Sequence, residues 1–149
     1  MIFWNSYCVA NNHNVQNYSN NVQAFAQVTK TLAKHGVQLR YRDQRLVLLI
    51  PLEKIFATKS ANFTKGSKNI LIAIARMARL KPDTLLSSSV HICGKQGILG
   101  RNLALECSRK VANYLWEMNE HYGFIYVSSE MTHSKCKHNI LVIEFVDFY

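Results

Sequence analysis

RLVLLIPLEKIFATKSANF, residues 45 to 63, joins an apolar strand, a proline and a phenylalanine-bearing loop. The continuous apolar run Leu46 to Ile50 suits a strand covered on both faces. Pro51 has no amide proton to give to a ladder, so the strand ends there. The following LEKIFATKSANFTKG is expected to be a loop held down by Ile55, Phe56 and Phe63, with Thr64 or Ser67 capping the next helix.

Upstream, Val37, Leu39 and Tyr41 alternate with Gln38 and Arg40, and a polar turn at Arg42 to Gln44 leads into the apolar run. This predicts a hairpin. Before it, Val22, Phe25, Ala26, Val28, Thr29, Leu32 and Ala33 recur at helical spacing from Val22 to His35, with Asn20 or Asn21 as cap and Gly36 as the stop. Residues 1–21 are rich in asparagine with isolated aromatics, and asparagine prefers turns to regular interiors. They are expected to form an irregular arm, with Phe3, Trp4 and Tyr7 as anchors against a protein partner.

Downstream, Ile70, Leu71, Ile74, Met77 and Ala78 form one apolar face of a helix over Lys68 to Leu80, flanked by Arg76 and Arg79. Lys81, Pro82 and Asp83 break it. A strand is expected over Leu85 to Cys93, then a glycine-bearing loop, GKQGILG from Gly94. A helix from about Asn102 to Asn119 would turn Leu103, Cys107, Val111, Leu115 and Met118 inward. A strand over Gly123 to Ser128, a polar loop over Glu130 to His138 and a last strand over Ile140 to Phe148 complete the chain. The order after the first helix is ββαβαββ, an α+β sandwich with helices packed on one side of a mixed sheet. Residues 22–149 are expected to form that single domain, because 149 residues and 48% hydrophobic composition supply one core and no room for two.

Lys and Arg number 18 against 9 Asp and Glu, a net charge of +9, which favours acidic partners. The positive charges are scattered and no run of five appears, so no nucleic-acid-binding tract is indicated. No stretch of about 18 apolar residues is present, so no transmembrane helix is expected. MIFWNSYCVANN lacks the basic start of an export signal, and the residues before Cys8 do not fit a lipid-anchor cleavage site. The four cysteines, Cys8, Cys93, Cys107 and Cys136, contain no CxxC pair. Cys93 and Cys107 are expected to pack as small hydrophobes.

Several local strings, in order, resemble the OmpA-like domain family across roughly residues 37–147. The family's opening strand, proline and loop match Leu46 to Ile50, Pro51, Ile55, Phe56, Ser60, Ala61 and Phe63. Its first helix and proline turn match Ile70 to Leu80 and Lys81 to Asp83, its second helix matches Val111 to Leu115, and its closing strand matches Asn139, Val142, Ile143 and Phe145. KHGVQL from Lys34 and VANYLW from Val111 are further similar to the OmpA-like component of the Dot/Icm type IVB secretion system. The resemblance implies a non-enzymatic envelope protein in the periplasm, associated with the outer membrane.

The family holds the diaminopimelate of peptidoglycan with an aspartate after the second core strand and an arginine on the next helix. A zwitterionic ligand in a desolvated site needs both charges answered. The only aspartates here are Asp43, Asp83 and Asp147, and the corresponding turn, VHICGKQG, puts Lys95 near the family's acid. In the ungapped register the arginine position is Cys107; a two-residue shift would bring Arg109 there, and Asn102 can match the family's asparagine. Gly94, Lys95, Asn102, Cys107 and Arg109 are therefore the candidate residues of a degenerate pocket. The expected partners are other protein subunits, with peptidoglycan binding weak or absent, nucleic acid disfavoured and membrane association indirect. A working peptidoglycan anchor using Arg109, and a basic nucleic-acid-binding module with Tyr41, Phe63, Tyr122 and Tyr126 as stacking groups, are the alternatives.

No catalytic residue, metal ligand or cofactor is assigned. His91 and Cys93 share a strand face as a thiol and imidazole would, but no orienting carboxylate lies nearby in sequence. His133, Cys136 and His138 lack the paired spacing and fourth ligand of a metal site. GKQGILG lacks the Walker lysine followed by Ser or Thr.

Overall fold

The computed structural model describes residues 20–93, 98–119, 127–134 and 138–147. A first helix, α1 (residues 20–34), leads into β1 (Gln38–Arg42) and β2 (Arg45–Pro51), and a short 3-10 turn at Leu52–Lys54 follows. Helix α2 (Ser67–Leu80), β3 (Thr84–Cys93), α3 (Ile98–Met118), β4 (Val127–Ser134) and β5 (Ile140–Asp147) complete the order. Among the described residues five strands form one mixed sheet in the order β1-β2-β5-β3-β4, in which β3 and β4 run parallel and the other pairs antiparallel.

Strand β5 lies at the centre because it is the most apolar segment of the second half, ILVIEFVD, and a central strand is enclosed by neighbours along both edges. Its Leu141, Ile143 and Phe145 stand opposite Ile50, Leu48 and Leu46 of β2. On the other side they stand opposite Val90, Ser88 and Leu86 of β3. All nine side chains are buried, and the helices cover this face. The predicted inward face of α2 is buried throughout: Ile70, Leu71, Ile74, Met77 and Ala78 all join one core cluster with Ile55 and Phe56 of the loop.

Helix α1 stops where Gly36 enters the left-handed region at φ +84. The Gly36 amide donates to the Ala33 carbonyl at 3.0 Å and the Val37 amide to the Leu32 carbonyl at 3.1 Å, the two bonds of a Schellman motif. Leu32 and Val37, which flank it, are both buried. At the other end Asn20 and Asn21 are already helical, so neither is the cap. The inward stripe is narrower than the spacing predicts. Val28 and Leu32 are buried and Phe25 half-buried, whereas Val22, Ala26 and Ala33 face water.

Three further expectations need correction. Neither Thr64 nor Ser67 caps α2; the cap position is Gly66, which has no side chain to bond. The hydroxyls are used elsewhere, Thr64 Oγ1 donating to the Lys54 carbonyl at 3.0 Å and Ser67 Oγ to the Thr64 carbonyl, so they brace the loop instead. Helix α3 begins at Ile98, inside the expected GKQGILG loop, because Gly100 is tolerated within the first turn of a helix long enough to absorb its cost. Strand β4 covers Val127–Ser134, taking in residues expected as the polar loop from Glu130. Its VSSEMTHS sequence hides the strand, since an edge position tolerates polar residues that a central one would not.

Helices α2 and α3 are joined at their ends. Arg79 donates to the Asn119 side-chain oxygen at 3.0 Å and to the Met118 carbonyl at 3.2 Å, a cation at the negative end of α3. Asn119 is itself buried, and its amide donates to the Leu115 carbonyl at 3.0 Å.

Replacing Gly36 by Ala tests the helix stop. A methyl at Gly36 would meet nothing closer than the Lys54 side chain at 4.0 Å, so the cost is backbone strain alone. Denaturant unfolding is expected to show a loss of about 1 to 2 kcal/mol; an unchanged midpoint would contradict the left-handed assignment.

Candidate functional site

The loop after β2 is rigid for reasons visible in its sequence. Leu52 donates its amide to the Asn139 carbonyl at 3.1 Å, tying the loop to the start of β5. Ile55 and Phe56 plunge into the core. Phe56 and Phe63 form an isolated antiparallel bridge, and their rings stack at 5.2 Å. Phe63 in turn meets the edge of Tyr114 on α3 at 5.9 Å. Only Lys59, at φ 53, takes a conformation that favours glycine, and it stands at the loop tip.

Between this loop, the far end of β3 and the first half of α3 lies a cleft of about 470 Å³. Its floor is apolar, made by Phe56, Val90, Ile92, Leu103, Ala104 and Cys107. Its rim is polar, with Glu53, Thr58, Lys59 and Ser60 on the loop and His138 and Asn139 before β5. Glu53 and Lys59 are exposed. No helix among the described residues is long and apolar enough to cross a membrane, and no three His, Cys, Asp or Glu side chains among them gather as a metal site.

Of the residues singled out in the sequence, Cys107 reaches the cleft. Asn102 and Arg109 are exposed on α3, and neither lines it. Gly94 and Lys95 lie outside the described residues, as do Phe3, Trp4 and Tyr7, and so does the Cys93 side chain of the His91 pair. The divergence on α3 has a simple origin. Consecutive positions step about 100° around a helix, so Cys107 faces the cleft, Ser108 faces β3 and Arg109 faces water. Ser108 Oγ donates to the Ser88 carbonyl at 2.8 Å, and Ser88 Oγ donates to the Ser108 carbonyl at 3.3 Å. Both serines are fully buried, and their small side chains let α3 settle close against β3.

Cys107 is 1% exposed and its thiol points at the Ser60 carbonyl, 3.7 Å away. Burial pushes the thiol up to about 11 from its ordinary 9.0, Glu106 adds to the rise and Lys110 opposes it. The group is therefore a neutral thiol across the physiological range, poorly suited to nucleophilic attack. Sequence reasoning missed Glu53 and Lys59. They stand in a loop whose anchors are apolar, and no periodicity announces that the loop tip folds over the cleft.

No protein-family model matches the chain, and no curated protein sequence matches it. Solved structures do. The cell wall anchor of the T6SS from Pseudomonas aeruginosa superposes with a TM-score of 0.65 at 16% identity, over 84% of this chain and 95% of that one. The periplasmic domain of Helicobacter pylori MotB (residues 78–256) gives 0.61 at 16% identity, over 76% and 83%. The OmpA-like domain of FopA1 from Francisella tularensis gives 0.51 at 9% identity, over 76% and 83%. The fold is OmpA-like. In that OmpA-like frame the cleft sits between the loop after β2 and the helix after β3.

The raised thiol carries a pH signature. Its neutral form contributes stability that is fully present below pH 9 and is lost as pH rises through about 11. Relative to Cys107→Ala, the parent protein is expected to lose on the order of 2 kcal/mol across that window. Parallel stability curves for the two proteins from pH 9 to 11 would show that Cys107 is not the buried neutral group described.

Proposed function

We propose that this chain is a non-enzymatic structural subunit of a bacterial envelope complex, an OmpA-like domain whose peptidoglycan clamp is degenerate. One observation carries the reading: the inward position of α3 that points into the cleft is Cys107, a buried neutral thiol, while Arg109 is turned to solvent two residues away. A zwitterionic ligand would find no buried cation on the helix to match its carboxylate. The charges that remain at the rim, Glu53 and Lys59, are exposed, and water screens them.

The family resemblance implies which complex. The similarity of KHGVQL and VANYLW to DotK, also called IcmN, supports a place in the outer-membrane core of a Dot/Icm type IVB secretion system. In that role the domain works in the periplasm against other subunits, with the aromatic arm bearing Phe3, Trp4 and Tyr7 as a further contact.

Removing one charge-assisted hydrogen bond from such a site costs roughly 1.5 to 3 kcal/mol, about ten- to hundredfold in affinity. Purified sacculi are accordingly expected to leave this protein in the supernatant after centrifugation. Saturable co-sedimentation would overturn the degenerate reading. A second reading, a working anchor, draws on the opposite charges of Glu53 and Lys59 at one rim. It requires co-sedimentation that Glu53→Gln abolishes and Arg109→Ala leaves intact.

A further inference from the structure

Strand β1 is the edge of the sheet: among the described residues it pairs with β2 alone. The hairpin that presents it is tight. Asp43 and Gln44 both have positive φ, 50 and 65, the two-residue turn whose twist matches that of the strands. In such a hairpin the flanking residues Arg42 and Arg45 exchange both backbone bonds, and bonded pairs then alternate along the register to Arg40 with Val47 and Gln38 with Leu49. The amides and carbonyls of Leu39 and Tyr41 are thereby aimed outward, away from β2.

The side chains divide in the same way. Leu39 and Tyr41 stand opposite Leu48 and Leu46, on the side of the sheet that holds the core. Leu39 is half-buried there, whereas Tyr41 overhangs the edge and is 70% exposed. Arg40 and Arg42 project from the opposite side, both exposed, beside Val47 and Arg45 of β2. Arg45 on the neighbouring strand has a partner in Glu144 at 3.7 Å, and among the described residues Arg40 makes a 3.4 Å contact with Gln38 of its own strand.

We propose that β1 is a docking edge for an extended, acidic segment of a partner protein, which adds to the sheet as a sixth strand. The backbone of Leu39 and Tyr41 would supply the ladder bonds, and Arg40 and Arg42 would take carboxylates on alternate positions of the incoming strand. A second copy of β1 is the wrong occupant. It would bring Arg40 and Arg42 against their own counterparts, and like charges across a strand pair repel. Edge strands are often blunted by bulges, proline or charges pointing inward, whereas QLRYR pairs with β2 along five residues without a bulge and turns its arginines away from the core side. Arginine, unlike lysine, presents a planar fork that matches a carboxylate. This inference stands apart from what the cleft holds.

The test is a fluorescence-anisotropy titration of the whole chain with a labelled, end-blocked octapeptide alternating glutamate and valine. The expected result is saturable binding that weakens with salt. Arg40→Glu with Arg42→Glu should weaken it at least tenfold. So should Tyr41→Pro, which removes one outward amide, whereas Tyr41→Thr, which keeps it, should bind within a few fold of the parent; circular dichroism checks that each variant folds. No binding of the acidic peptide, a Tyr41→Pro variant that binds as well as Tyr41→Thr, or a single-stranded oligonucleotide displacing the peptide would each overturn the proposal.

Discussion

The closeness of α3 to β3 is the constraint on which the rest of the molecule rests. Ser88 sits in the middle of a strand whose neighbours, Leu86 and Val90, are bulky, and Ser108 sits in the middle of the facing helix. Each hydroxyl donates to the other's carbonyl, so two buried polar side chains are satisfied and the helix is keyed in one rotational setting. A leucine at either position would force the two elements apart. Because the setting is unique, the identity of every other α3 position follows: Val111 and Leu115 go to the core, Cys107 to the cleft and Arg109 to water.

That setting also decides what the cleft can do. Its floor is assembled from β3 and α3 and from the Phe56 loop, which precedes them by some thirty residues or more, and it is apolar with a neutral thiol in its lining. Charge is confined to the rim, where solvent weakens it. Part of the molecule's formal excess of positive charge is on its surface, where Arg40 and Arg42 stand exposed on a strand that, among the described residues, pairs on one side only.

The pattern of Leu46 to Ile50 and Pro51 was sufficient to locate β2, since an uninterrupted apolar run ended by a proline has few other solutions. Gly36 was equally legible as a helix stop, because left-handed backbone is what glycine supplies. Strand β4 was obscured: its apolar residues are sparse, and only pairing with β3 along eight positions makes it a strand. The first turn of α3 was obscured for the opposite reason, Gly100, a loop signal locally, being overruled by the length of the helix that holds it.

Local residue order, then, determined most of the element types and the absence of an aspartate from the VHICGKQG turn, because those depend on periodicity and composition that neighbours in the chain already express. Tertiary structure alone decided that the Phe56 loop and β3 form a cleft with Cys107, that Glu53 and Lys59 come to share its rim, and that β1, among the described residues, pairs on one side only. These outcomes depend on the rotation of one helix and the order of strands in a sheet. Both are set by contacts between segments distant in sequence, which no local pattern records.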